Sequence, residues 1–563
     1  MAPHTETPSP AERLAICCVN VSPRIREALQ AQGHTVLPLA PAPGETPHLP
    51  DLLRQAGFVP DAVLQQELLR PRVLLSGLGE IPCIKAFWAI DPHLNAFWQS
   101  CYARLFDVTF STQRRWLPDL AKHGAQHTVW LPWYAPAGPW HPWSERDTPL
   151  SFVGRVTPER PVRIRFVELL AQRFGSDFVH AQDLDHQGME QLYARTRTVP
   201  NESILGEVNF RLFEAVASGC LVVGQDLGPD QDPLFEPGRE TLCYGDGLEM
   251  LELLERARTH ATEAAAVARA GWERLRAEHQ PEHRARALVR VLRDAPHSAA
   301  MGRDADAWLA ATACQLHRAG RLDLDLDRAL AVLRRHAGEP ALAALCLRLL
   351  AEEGRAGELV ATLSELRAAN AHRASLEVNA AASLSALRTG LADHARAFWL
   401  RHVRACPRRG GQPRESEGDT ALLRLWAGEL RKAGRNVDAG FLFNEERHVP
   451  SAASDCLALA LHRKPDDLEL VRQNDALLAF RPGQEHARLG LLSTLTLHRR
   501  QDWRLGLEAG LVNLRSFRLD AGREELLLAL ELARGQGAEK RFLAALSGRD
   551  PSGRILRWLV SRP

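Results

Sequence analysis

Residues 209–219 read NFRLFEAVASG, and after Cys220 comes the apolar run Leu221-Val222-Val223-Gly224, ahead of Asp226. Phe210, Phe213 and Val216-Ala217 recur at helical spacing and Gly219 supplies a C-terminal stop, so the first stretch is predicted as a short helix. Residues 221–224 are short, β-branched and bounded by glycines, which suits a parallel strand covered on both faces. Glu214 sits inside the helix among apolar neighbours. A carboxylate there needs a partner. A ligand hydroxyl is one candidate, and Arg211 one turn earlier is another.

Working outward, strand-like runs alternate with helical ones. Before the opening segment come a strand at 150–156 (LSFVGRV), a helix at 161–174, a strand at 177–179, a helix near 188–194 and a strand at 197–200. After it come 240–244 (ETLCY) and helices from 248 to about 277. A similar alternation runs earlier, with strands at 13–20 (RLAICCVN), 34–39, 61–64, 83–90 (CIKAFWAI), 106–111 and 126–131, and helices at 23–32 and 112–123. Strands separated by helices imply βαβ units around parallel sheets. Pro132, Pro136, Pro139, Pro142 and Pro149 crowd the stretch between the two series, which reads as a linker. The expected organisation is a tail at 1–12, one α/β domain at 13–135, a linker at 136–149, a second α/β domain at 150–295, and an all-α region at 296–563. Seven of the thirteen tryptophans fall between Trp88 and Trp143. They serve either as apolar glue or as a stacking surface for sugar rings or a base.

Beyond Pro296 strand signals vanish and Ala, Leu and Arg dominate. The turns Arg318-Ala319-Gly320-Arg321, Glu353-Gly354-Arg355 and Lys432-Ala433-Gly434-Arg435 fall where a helix-turn-helix repeat puts its internal turn, as in tetratricopeptide-like arrays. Residues 408–419 (RRGGQPRESEGD) read as an interruption.

With 70 basic and 69 acidic residues the net charge is +1, which argues against nucleic acid as a bulk electrostatic partner. Ten cysteines lack any CxxC pair, as expected of buried thiols in a reducing compartment. Neither a signal-peptide core nor an 18-residue apolar run is present, so the expected location is cytoplasmic, with no transmembrane segment.

The segment 209–226 resembles the nucleotide-binding region of GT-B glycosyltransferases, and is similar to the group that includes the spore maturation protein CgeB. Phe152-Val153-Gly154-Arg155 leaves a strand and Arg160 follows ahead of a helix. A glycine there lets a ligand approach the backbone, and two guanidiniums can hold a diphosphate. This is similar to the Gly-Arg…basic pattern of retaining GT-B enzymes, with Arg160 in place of a lysine. Glu214 matches the acid that binds the nucleotide ribose, and Asn209 and Arg211 match an Asn-x-Arg pattern of the CgeB-like group. Many retaining relatives carry another acid eight positions before the ribose acid. Gly206 stands there, with Glu207 one position late as the candidate sugar-contacting residue. Trp88-Ala89-Ile90-Asp91-Pro92-His93 resembles a Trp…Asp-x-Pro element of the same group. Asp91 or His93 is the candidate general base, the alternative for Asp91 being to cap the following turn.

The resemblance implies two Rossmann-like domains facing across a cleft. Gly154, Arg155, Arg160, Asn209, Arg211 and Glu214 would bind a nucleotide-sugar, and a protein or cell-surface glycan would be the acceptor. No cofactor or metal is implied, and the repeats would recruit the acceptor or a partner protein. The alternatives are a non-catalytic scaffold and a GT-B-fold nucleotide-sugar epimerase or hydrolase. Asp323, Asp325 and Asp327 imitate a metal-binding Asp-x-Asp but lie in the helical region, and Gly77-Leu78-Gly79 is too short for a dinucleotide fingerprint. His279 is expected to be a packing residue.

Overall fold

The computed structural model describes residues 13–68, 72–122, 124–406 and 418–561. The N-terminal tail, His123 and residues 408–417 of the expected interruption lie outside the described residues. By contacts the chain divides into two compact units, 1–132 with 285–470, and 133–284 with 471–563.

The first unit holds a parallel sheet of six strands: β1 (Ala15–Val19), β2 (Thr35–Leu39), β3 (Ala62–Gln66), β4 (Ile84–Ala89), β5 (Val108–Ser111) and β6 (Thr128–Trp130). Their spatial order is β2-β1-β3-β4-β5-β6. Burial of Ile16, Cys17, Cys18 and Val19 explains why RLAICCVN reads as an unbroken apolar run rather than an alternating one. The second unit holds β7 (Thr148–Val153), β8 (Phe178–Ala181), β9 (Thr196–Asn201), β10 (Leu221–Gln225) and β11 (Leu242–Tyr244), in the order β11-β10-β9-β7-β8, all pairs parallel. Counted from its own first strand, the first sheet runs 2-1-3-4-5-6 and the second 2-1-3-4-5. The strand order reverses between first and third strands, which fixes a switch point at β1/β3 and another at β7/β9.

Two helices of the first unit escape the sequence reading, Leu49–Gln55 and Pro92–Tyr102. The proline-rich stretch after residue 132 packs within the second unit. Trp133 meets Phe210 at 4.9 Å, Trp140 meets Trp272 at 5.8 Å, and Trp143 joins the sheet's core.

The C-terminal helices belong partly to each unit. In the first, Gly302–Arg318, Pro340–Glu352, Leu376–Arg388 and Asp419–Lys432 contact one another in succession, and each packs on the helix that follows it. The Gly-containing turns separate the members of these pairs. At Gly320, Gly354 and Gly434 the chain turns through positive φ, and the next amide bonds back into the helix (Arg321 N to Leu316 O, Arg355 N to Leu350 O, Arg435 N to Leu430 O, each 2.8 Å). In the second unit Phe517 enters the core of the sheet, 5.1 Å from Phe166 and 6.2 Å from Tyr244. There Arg554 pairs with Asp246 at 2.6 Å and with Glu249 at 2.9 Å. Among the described residues no helix is long and apolar enough to cross a membrane.

Candidate functional site

In open parallel sheets ligands bind outside the carboxyl ends of the strands at the switch point. In the second unit that point lies where β7 releases Gly154-Arg155 and β9 releases Glu202. The helix Pro161–Phe174 follows β7, so its uncapped N-terminus also faces this end of the sheet. Its buried stripe, Arg163, Phe166, Leu170 and Phe174, opens on an arginine. The Arg163 Nε lies 2.6 Å from Glu202 Oε2, and both side chains are almost wholly buried. Burial pushes the Glu202 carboxyl up, against the pull of Arg163. The Glu202 carbonyl also accepts from Arg163 Nη2 (3.3 Å) and Asn209 Nδ2 (3.2 Å).

Asn209 is the N-cap of the helix Phe210–Ala217, its side chain accepting from the Leu212 amide at 3.3 Å. Arg211 donates to Val153 O at 2.7 Å and to Asn201 Oδ1 at 2.8 Å, tying the ends of β7 and β9 together. Its guanidinium lies 4.3 Å from the centre of the Phe152 ring, with Arg163 at 5.7 Å from the same ring. Burial lowers the Arg211 pKa. Gly154 is needed here: a Cβ on it would stand 2.6 Å from Arg211 Nη2 and 2.9 Å from Phe152. The close approach is made in this structure by a side chain of the protein itself.

Glu207, one position late for the family pattern, is buried and bonded locally. Its Oε1 accepts from Ile204 N (3.0 Å) and its Oε2 from Leu205 N (2.7 Å), holding the turn that contains Gly206. Three of the expected residues carry less of this internal load. Arg155 is exposed and paired with Asp183 at 2.8 Å, an ion pair that water screens and a ligand can replace. Arg160 is half-buried at the N-cap of Pro161–Phe174; burial and the charge of Arg163 lower its pKa. Glu214 is half-buried on its helix, and its charge acts on Arg211 and on buried Tyr193.

In the first unit Asp91 ends β4 at the N-cap position of Pro92–Tyr102, and its side chain makes no capping bond to that helix. His93 is buried, its ring 6.5 Å from that of Trp116. The strongest local feature is Glu67, which the sequence reading passed over. Its carboxylate accepts from the amides of Ile90 (2.8 Å) and Asp91 (3.2 Å) and from Asn95 Nδ2 and Gln99 Nε2, fixing the backbone that presents Asp91.

Asp325, Asp327 and His279 are held by contacts within the chain. Asp325 caps the helix Leu326–Arg335, and Asp327 pairs with Arg355 at 2.8 Å. His279 is packed against Phe213 and Phe235. Its Nδ1 accepts from Arg284 Nη2 (2.9 Å), so its Nε2 donates to Leu234 O (2.8 Å), and burial lowers its pKa to about 3.

Residues 136–290 match a family model described as glycosyl transferase-like. That stretch contains the whole second sheet and every candidate nucleotide-sugar residue. The chain has two parallel Rossmann-like sheets and many C-terminal helices, the fold class expected from the sequence. No curated protein matches the chain. Among solved structures it is similar to a sucrose-phosphate synthase from Thermosynechococcus elongatus, at 13% identity and a TM-score of 0.36, over 50% of this chain and 98% of that one. It is similar to HepE of Anabaena, solved with UDP-glucose, at 11% identity and a TM-score of 0.35, over 50% of this chain and all of that one (100%). The pneumococcal O-GlcNAc transferase GtfA, solved with UDP and GlcNAc, gives 10% identity and a TM-score of 0.31 over 44% of this chain. This chain spans 59% of the length of that structure, and 59% of the matched chain of a GtfA/B complex.

Proposed function

We propose that the chain is a glycosyltransferase that takes a sugar from a nucleotide-sugar. The observation carrying this reading is that the glycosyl transferase-like stretch contains the β7/β9 switch point, where β7 releases Arg155 and Arg160 stands at the N-cap of the next helix. In this reading the donor diphosphate lies on Arg155, Arg160 and the N-terminal turn of Pro161–Phe174, and Glu214 accepts from the vicinal ribose hydroxyls. Gly154, Asn209, Arg211 and Glu207 act as positioning residues: their internal bonds hold the strand ends and the loop after β9 still. In transfer the bond from the anomeric carbon to the diphosphate oxygen breaks and the acceptor oxygen bonds that carbon. The guanidiniums stabilise the charge that develops on the leaving diphosphate. Asp91, less enclosed than His93, is the candidate base for the acceptor proton. The acceptor is proposed to be a protein or a cell-surface glycan, with the stacked helix pairs of the first unit recruiting it or a partner protein.

Calorimetric titration with UDP-, GDP-, dTDP- and CMP-sugars tests the reading. One of them binds, and Glu214→Ala abolishes that binding while leaving the melting temperature nearly unchanged. No heat from any donor overturns the enzyme reading, and unfolding of Glu214→Ala assigns the carboxylate to structure. Incubation with donor alone separates transfer, which needs an acceptor, from epimerisation or hydrolysis.

A further inference from the structure

A cavity of about 110 Å³ lies inside the first unit, walled by the helices Pro92–Tyr102, Gly302–Arg318 and Pro340–Glu352. Four cationic groups reach it, Arg104, Lys122, Arg348 and Arg435, against the carboxylates of Glu339 and Glu377. Arg348 is the informative one. It is 4% exposed and its Nε finds no hydrogen-bond acceptor. Glu377 and Asp438 act on it electrostatically, but Glu377 is engaged by Arg435 at 3.1 Å, and Arg318 and Arg435 oppose its charge. A buried guanidinium without a hydrogen-bonded counter-charge is strongly unfavourable unless something outside the chain satisfies it.

Two further groups point into the same space. Arg104 lies with its guanidinium 4.8 Å from the centre of the Trp308 ring, and its Nε also lacks an acceptor. The helix Pro340–Glu352 begins at the cavity. No side chain caps it, and Ala341 and Leu342, in the turn whose amides have no partner within a helix, line the wall. These donors come from two side chains and a helix end, and suit an anion that presents oxygens on several sides. A neighbouring cavity of about 400 Å³ shares Arg104, Trp308, Glu339 and Leu342 with the first.

We propose that the inner cavity binds a phosphate group, free or carried by a small phosphorylated molecule whose remainder occupies the outer cavity. Arg348 and Arg104 hold the phosphate oxygens, the first turn of Pro340–Glu352 adds its amides, and Trp308 forms the wall common to both cavities. This site lies in the first unit and is independent of the donor reading, whose diphosphate groups belong to the second.

The full chain is titrated calorimetrically, and its melting temperature followed, with inorganic phosphate, glycerol 1-phosphate and acetate. Phosphate is expected to bind saturably and to raise the melting temperature by a few degrees, the rise growing with the logarithm of its concentration. A tighter glycerol 1-phosphate assigns the site to a phosphomonoester, and an equal or weaker one to free phosphate. Arg348→Met is expected to melt no lower than the parent without phosphate, because an unsatisfied charge is removed, and to lose the phosphate response. Arg104→Gln, which breaks no hydrogen bond, weakens phosphate binding at least tenfold and carries the test if Arg348→Met does not fold. The proposal is overturned if the parent chain shows no phosphate response, if acetate matches phosphate, or if Arg348→Met keeps the response while Arg155→Gln loses it.

Discussion

Arg163 and Glu202 illustrate what decides the behaviour of single residues in the second unit. Their pair at 2.6 Å is buried, so neither group can be left alone. Arg163→Met or Glu202→Gln should each destabilise the unit by about 3–5 kcal/mol, while the double replacement by apolar residues recovers much of that. Urea unfolding of the two singles and the double measures it, and additive losses would contradict it. His279 gives a prediction in pH. Its pKa is about 3 in the folded chain against 6.5 for the free side chain, so the unfolded state takes up the proton first. Stability is therefore full above about pH 6.5 and falls as pH drops towards 3, by about 1.4 kcal/mol at pH ~5.5. His279→Gln should remove that part of the slope. Glu214, Arg155 and Asn209 could be singled out from the sequence because glycines and apolar runs lie close to them. The sequence did not show Arg163, which reads as one more polar residue on an amphipathic helix until strand order brings Glu202 beside it.

At the scale of elements, the Phe210–Ala217 helix and β10 were legible because their periodicities are clean. The helix Pro92–Tyr102 was not, because it is buried nearly all round and shows no polar face to mark its period. The glycine turns of the helical region were legible, since Gly followed by Arg recurs. The equivalent turn at Gly390 (φ 77°) was not, as Leu391 replaces that arginine. Two substitutions test how elements hold the site. Asn209→Ala should cost about 1 kcal/mol by uncapping Phe210–Ala217, with faster amide exchange confined to its first turn. Gly154→Ala should cost about 1–3 kcal/mol, because the added methyl displaces Arg211 or Phe152. Equal stability of parent and Gly154→Ala would show that Arg211 moves aside freely.

At the scale of the whole molecule, composition marks the change from mixed to helical structure near Pro296, but the compact units run across it. One unit boundary falls at Pro132, where the proline-rich stretch begins, but the other two fall inside the helices Pro281–Asp294 and Leu468–Leu478, where no break in composition exists. The reason is physical: Phe517 fills a place in the second sheet's core, and Gly302–Arg318 packs on Pro92–Tyr102, contacts formed over more than two hundred residues of chain. A chain truncated after residue 295 is therefore expected to expose Phe166 and Tyr244, bind a hydrophobic dye and lose cooperative melting. A truncated chain that melts sharply would contradict this.

In the proposed function the β7/β9 end of the second sheet holds a nucleotide-sugar. The most direct measurement is a crystal structure of the chain with the donor that gives the largest calorimetric heat. The diphosphate is expected between Arg155, Arg160 and the first turn of Pro161–Phe174, with both ribose hydroxyls on the Glu214 carboxylate. A nucleotide bound elsewhere, or a ribose held by another residue while Glu214 faces away, would contradict it.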